Sequence, residues 1–286
     1  MHINLLVNIH RTDAVEAAHG AAEWLHERGV SVGADVESAP RVGIDAVSDE
    51  LMAQADLVVC FGGDGTLIRA AHLCSELGTP ILGVYYGRFG FVTQCRQGEL
   101  GACLSTFFDG HAEFEDRMML QTDLLRGGQV IASLHALNEM VLQRAATVRM
   151  LTFEVTVDGH RLTSYPADGV LVATPTGSTA YNLSAGGPIM DPRIHALLLT
   201  AIAPHTLSAR ALVLAPEADL KFTLQTAGDA VLSADGQSRF HLLSGDEVRV
   251  TRSPRVTRLM CVDRDDFLIK LGERLLWSQG LALGDD

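Results

Sequence analysis

Apolar positions in the first hundred residues fall into two alternating rhythms. Ile3-Asn4-Leu5-Leu6-Val7 is a short, nearly continuous apolar run that predicts a strand, and Val15, Ala18, Ala22 and Leu25 then recur at helical spacing. Asp13 with Glu16 three residues later predicts a capping box opening that helix, and Gly29 its end. Residues 30–36 predict a second strand and 44–54 a weaker second helix. Asp56-Leu57-Val58-Val59-Cys60-Phe61 reads as a buried parallel strand, followed by Leu67, Ile68, Ala71, Cys74 and Leu77 at helical spacing. Gly78 stands in helix-stop position, and Ile81-Leu82-Gly83-Val84-Tyr85 closes a βαβ unit.

The rhythm then shortens to two. Leu151, Phe153, Val155 and Val157 alternate with polar residues and run into Asp158-Gly159, a hairpin signal. Leu220, Phe222 and Leu224 alternate again, as do Val248 and Val250, while Arg126-Gly127-Gly128-Gln129 and Asp235-Gly236 supply further turns. In this half the clearest helix candidate is 191–202. A last helical spacing, Phe267, Leu271 and Leu275, falls within 266–277. The expected fold is an α/β N-terminal Rossmann-like domain with an open parallel sheet, plus a C-terminal all-β-rich domain. The expected division is 1–115, 116–262, and a segment 263–286 packing back on the first domain. Ligands of an open parallel sheet belong at the carboxyl ends of its strands.

Composition narrows the classes. The chain has 286 residues, 47 % hydrophobic and 20 % charged, which describes a folded protein with room for two cores. Twenty-two basic against 35 acidic side chains give a net charge of −13, so nucleic acid and anionic membrane are not expected partners, and any polyanion must be held locally. No apolar run approaches the ~20 residues of a membrane span, and the Met1-His2-Ile3-Asn4 start lacks a signal-peptide pattern, so the expected location is the cytoplasm. Cys60, Cys74, Cys95, Cys103 and Cys261 are scattered and odd in number, and read as buried thiols. The 11 histidines contain no His-Glu-x-x-His arrangement.

The chemistry concentrates in two stretches. Gly62-Gly63-Asp64-Gly65-Thr66 sits between a strand and a helix, where glycines expose backbone N–H groups and the helix N-terminus adds positive potential; such a turn suits phosphate. A carboxylate there repels phosphate unless it binds a metal or accepts a proton, which makes Asp64 the first candidate for chemistry; the plainer alternative is a helix cap. The second stretch runs from Asp168-Gly169 through Thr174-Pro175-Thr176-Gly177-Ser178-Thr179-Ala180-Tyr181-Asn182-Leu183-Ser184 to Gly187-Pro188. An apolar strand enters a loop dense in hydroxyls with one aromatic face, which suits a nucleoside.

These segments, with Leu137-Asn138-Glu139 and Pro204-His205-Thr206-Leu207-Ser208-Ala209-Arg210, resemble the NAD kinase family in identity and order. The Gly-Gly-Asp-Gly turn is shared with lipid kinases and phosphofructokinases, whereas the 174–181 string resembles NAD kinases specifically. The resemblance implies transfer of the terminal phosphoryl of ATP, or in some members inorganic polyphosphate, to the 2′-hydroxyl of the adenosine ribose of NAD, giving NADP. Asp64 would accept the hydroxyl proton and adjoin the acceptor together with Gly65. Gly62, Gly63, Gly65 and Thr66 would hold donor phosphates, with Mg²⁺ or another divalent ion bridging them and Asp64 and Glu139 as its candidate protein ligands. Asn138 and Glu139 would meet the adenosine, with Asn138 bonding a ribose hydroxyl or the adenine. Thr179, Ala180, Tyr181 and Ser184 would line the adenine-ribose pocket, Phe91 would cover the adenine, and Asp168 would reach the nicotinamide end from a neighbouring subunit of a homodimer or homotetramer.

Three positions depart from many relatives: Tyr85 replaces Asn or His, Pro166 replaces an Arg that would meet pyrophosphate, and Met190-Asp191 lies in a variable segment. Arg144, Arg149 and Arg193 are candidates to replace the missing cation. Two other readings remain open: a kinase of lipids or small alcohols using the same turn, and a nucleotide sensor that kept the pocket and lost turnover.

Overall fold

The computed structural model describes residues 1–87, 90–92, 95–145, 151–225, 230–262 and 266–275. The chain divides into two compact units, Met1–Asp116 with Thr257–Asp286, and Arg117–Val256.

The first unit is built from β1 (His2–Val7), α1 (Thr12–His26), β2 (Ser31–Asp35), α2 (Ala39–Val42), β3 (Asp45–Val47), α3 (Asp49–Met52), β4 (Leu57–Gly62), α4 (Asp64–Cys74), β5 (Ile81–Tyr85) and α5 (Leu100–Phe108). The strands form a parallel sheet in the order β5-β4-β1-β2-β3. Ile3, Leu5, Leu57, Val59 and Phe61 share one core with Ala14, Ala18, Ala22 and Leu25 of α1. Full burial of a side chain such as Leu25 stabilises by roughly 1.5–3 kcal/mol relative to exposure. β4 is buried along its whole length, which accounts for its unbroken apolar run. The strand ends are stitched together where the chain leaves the sheet: Asn8 N–H donates to the Phe61 carbonyl and Tyr86 N–H to the Gly62 carbonyl, both at 2.9 Å.

Two local expectations for this unit need correction. Residues 44–54 are not one helix: Asp45, Ala46 and Val47 pair with β2 as an edge strand, and Ser48 starts a separate turn by accepting the Leu51 N–H. Asp13 does not cap α1, since it lies inside the helix; its carboxylate instead takes the Arg11 guanidinium through two bonds and the Ala14 N–H. Four of the cysteines are buried as expected, and Cys261 is half-buried.

The second unit begins within β6 (Glu113–Arg126) and continues through β7 (Gln129–Ala136), β8 (Glu139–Arg144), β9 (Leu151–Val157), β10 (His160–Ala167) and β11 (Gly169–Ala173). A 3-10 turn (Thr176–Thr179) and α6 (Tyr181–Ser184) follow, then β12 (Leu197–Ile202), β13 (Leu212–Leu214), β14 (Leu220–Leu224), β15 (Ala230–Ala234), β16 (Ser238–Leu242) and β17 (Glu247–Cys261), which ends in the first unit ahead of α7 (Asp266–Arg274). β10, β9, β14 and β17 run antiparallel side by side, and a six-stranded antiparallel sheet has the order β13-β12-β11-β8-β15-β16. Phe153, Val155, Leu220 and Phe222 from the first of these share a core with Met140, Val170, Leu197, Leu199 and Leu232 from the second. The Asp158-Gly159 hairpin forms as expected, both residues at positive φ (51° and 77°).

The helix expected over 191–202 is instead the strand β12, reached through a turn. Leu197 and Leu199 face the main core while Leu198 joins Val141, Leu171 and Ala173 on the sheet's other face, so burial on both faces produced an apolar run without a two-residue rhythm. No helix among the described residues is long and apolar enough to cross a membrane.

Candidate active site

In the first unit, Gly63 precedes α4 in extended conformation and Asp64 is its first residue, at the carboxyl end of β4. The side chain of Asp64 is fixed by the segment that follows β5. It accepts the Phe91 N–H at 2.9 Å and the Val92 N–H at 3.3 Å. Gly90 is buried against the carboxylate so closely that a Cβ there would overlap it. Gly62 is similarly enclosed, since a Cβ would run into the Thr66 side chain, whereas Gly63 and Gly65 have open space at that position. The glycines thus do different things: Gly62 admits Thr66, and Gly63 and Gly65 place no side chain over the start of α4. Phe91 contributes its backbone to Asp64, while its ring packs on Phe267 of α7 at 6.5 Å with the Arg274 guanidinium 5.3 Å away. Tyr85 ends β5 and is half-buried.

In the second unit the hydroxyl-rich loop is sewn to the 137–139 segment. Thr174 N–H donates to the Asn138 carbonyl at 2.8 Å, its hydroxyl donates to the Leu137 carbonyl at 2.6 Å, and the Gly177 N–H donates back to that hydroxyl at 3.0 Å. Gly177 lies so close that a Cβ would strike the Asn138 backbone carbonyl. Asn182, fully buried, bonds the Ser178 and Pro188 carbonyls and accepts from the Thr200 hydroxyl, which fixes the loop's far side.

Asp235, read from sequence only as a turn residue, is the anchor of this cluster. It holds φ at +48° beside Gly236, and its carboxylate accepts three consecutive backbone N–H groups, from Leu137 at 2.7 Å, Asn138 at 2.8 Å and Glu139 at 3.0 Å. The Asp235-Gly236 pair, a turn signal, was the available mark in the sequence, but the carboxylate's partners lie nearly a hundred positions away. Asn138 and Glu139 are both buried, and Glu139 Oε2 has no hydrogen-bond partner. Burial first, and the Asp235 charge second, push the Glu139 carboxyl up to about 7, against a backbone hydrogen bond from Tyr181.

Glu139 opens into a cavity of about 380 Å³ whose walls include Arg144, Tyr181, Ser233, Arg239 and His241. Its size suits a small ligand. Tyr181 and Ser184 are exposed, and Thr179 and Ala180 are half-buried beside them. Asp168 sits at the start of β11 and pairs with Arg144, Nη2 to carboxylate 3.1 Å. Of the cations considered in place of Pro166, Arg144 therefore adjoins Asp168, Arg193 is held by Asp191, and Arg149 lies outside the described residues. Arg239 and His241 were not anticipated, because alternate residues of a hairpin strand carry no motif. Among the described residues no group of three or more His, Cys, Asp or Glu side chains is arranged to hold a metal ion.

Comparison with known proteins agrees with both units. Residues 3–112 match the ATP-NAD kinase N-terminal domain, and residues 137–262 the ATP-NAD kinase C-terminal domain. The NAD kinase of Geotalea daltonii is 39 % identical over 280 residues, covering 97 % of this chain and 99 % of that protein. The NAD kinase of Citrifermentans bemidjiense is 39 % identical over 284 residues with the same coverage. Among solved structures, yeast NADH kinase complexed with NADH superposes with a TM-score of 0.94 at 25 % identity, covering 100 % of this chain and 90 % of that one. An NAD kinase from Archaeoglobus fulgidus in complex with ATP gives 0.77 at 24 % identity, covering 96 % and 98 %, and shares the fold.

Proposed function

This chain belongs to the NAD kinase family, and from that premise we propose that it transfers the γ-phosphoryl group of ATP to the 2′-hydroxyl of the adenosine ribose of NAD. The observation that carries the reading is the Asp64 carboxylate, delivered to the mouth of a phosphate-suited turn and oriented there by the Phe91 and Val92 N–H groups. Phosphoryl transfer asks little covalent work of a protein, so positioning and charge neutralisation dominate. Asp64 takes the proton of the attacking ribose hydroxyl, and the 62–66 backbone with the N-terminus of α4 holds the donor phosphates.

The adenosine end of the acceptor lies, in this reading, against Tyr181 with its ribose toward Asn138, which is placed by the bonds to Thr174 and Asp235. A Glu139 carboxyl pushed up to about 7 can retain its proton and donate a hydrogen bond to the nucleoside. Asp168 lies toward the nicotinamide end, and Arg144 and Arg239 offer the pyrophosphate its cations. The Asp64 carboxylate at the start of α4 fits Mg²⁺, an ion held largely by substrate phosphates and water with one or two protein carboxylates, and is the protein group that would complete its shell. When bound, the ion neutralises charge on the transferring phosphoryl.

An acceptor comparison tests the reading. With Mg-ATP in excess, ADP release is expected with NAD and not with diacylglycerol or glycerol; release with the lipid alone would move the protein to the other kinase class sharing this turn.

A further inference from the structure

Arg11 follows the carboxyl end of β1, with its backbone N–H on the Asn8 carbonyl at 3.1 Å. Its guanidinium, however, ends against Gly87, two residues past β5: a Cβ built at Gly87 would stand 2.8 Å from Nη1 and 3.4 Å from Cζ. β4 lies between β1 and β5 in the sheet. The segments that carry Arg11 and Gly87 both adjoin the end of β4, from which the 62–66 turn emerges: Asn8 N–H donates to the Phe61 carbonyl and Tyr86 N–H to the Gly62 carbonyl, each at 2.9 Å. The Asp13 charge is felt in the same segment: burial first, and then that charge, push up the phenol of Tyr86, the residue before Gly87.

The arrangement leaves a cation with one edge committed and one presented. Asp13 accepts from Nε at 3.0 Å and from Nη2 at 2.7 Å, fixing the plane of the fork, while Nη1 is turned to Gly87. Gly87 has φ of +104° and no side chain, so nothing at that position displaces the guanidinium. A chain of net charge −13 repels a triphosphate at long range, which makes a fixed local cation valuable. The side chain of Arg11 is 40 % exposed and so open to a ligand from solvent.

We propose that Arg11 is a donor-binding residue, its Nη1 hydrogen-bonding a non-bridging oxygen of the terminal phosphates of the nucleoside triphosphate held on the 62–66 turn. Asp13 is then the positioning residue, and Gly87 the clearance that lets the guanidinium lie against the chain after β5. The inference rests on the phosphoryl-transfer reading above.

Arg11→Ala, Arg11→Lys and Gly87→Ala, each in the full chain, test it by KM for ATP and for NAD and by calorimetric titration with Mg-ATP alone. Loss of one charge-assisted bond to phosphate predicts a rise in KM for ATP, and in the Kd of Mg-ATP, of about ten-fold or more in Arg11→Ala. Arg11→Lys keeps the charge and loses the planar fork, so an intermediate value is expected, and Gly87→Ala moves both constants in the same direction. KM for NAD stays within about twofold in all three. An Arg11→Ala protein whose Kd for Mg-ATP stays within twofold of wild type overturns the proposal, as does an equal rise in both KM values. A wild type that binds Mg-ATP and yields no NADP would defeat the activity proposed above, while the Kd comparison would still decide the role of Arg11.

Discussion

Asp64→Asn is expected to lower kcat by about 10²–10⁴-fold while the Kd for NAD changes by less than about threefold. The reason is the kind of change the amide makes. Asn keeps the volume of Asp against Gly90, where there is no space for more, and one oxygen to accept a backbone N–H. It removes the atom able to take a proton from the ribose hydroxyl. It also sets an amide NH₂ against one of two backbone donors, Phe91 or Val92, so a loss of about 1 kcal/mol in stability accompanies the change. Rapid-quench single-turnover kinetics separate the two effects, since chemistry is read on molecules already saturated with both substrates. An unchanged single-turnover rate would remove Asp64 from the role of base.

The second large effect is expected at a residue with no place in the reaction itself. Asp235→Ala leaves the N–H groups of Leu137, Asn138 and Glu139 without their carboxylate, three charge-assisted bonds lost at once. A loss of about 3 kcal/mol or more in stability is expected, as is a rise of about ten-fold or more in KM for NAD, because Asn138 and Glu139 lose their placement. The size of the stability loss depends on pH. In the folded wild type Glu139 binds its proton up to about 7, whereas the unfolded chain releases it near the ordinary 4.5. This group's favourable contribution is therefore complete below 4.5 and disappears as pH rises through 7, by on the order of 3 kcal/mol across the range. Removing Asp235 removes one of the two causes of that rise, so the variant's stability falls less steeply. The gap between wild type and variant, measured by urea unfolding, is expected to be widest at pH 5 and narrower at pH 8; a gap that widens toward pH 8 would contradict the assigned coupling.

Much of the framework around the candidate site was legible in the residues. The strand at Leu57–Gly62 announced itself through an unbroken apolar run because both its faces are buried, and the glycines after it marked a turn whose helix follows at once. The hairpin at Asp158-Gly159 was legible for a complementary reason: its strands are buried on one face, so period two survives in the sequence. Leu197–Ile202 shows the limit, because a strand buried on both faces loses that period and its leucines imitate a helix. Asp235 and Arg11 show a different limit. Each acts on groups far along the chain, Asp235 on Leu137 across 98 positions and Arg11 on Gly87 beyond β5, and nothing local to either residue encodes that distance.

The central claim is that a ribose 2′-hydroxyl of NAD takes the phosphoryl group brought to Asp64. Phosphorus NMR of the reaction of wild-type protein with Mg-ATP and NAD measures this at the atom concerned. The account predicts a new phosphomonoester resonance coupled to the adenosine H2′ proton, appearing in step with ADP. NAD recovered unchanged, or a monoester coupled to H3′, would contradict it.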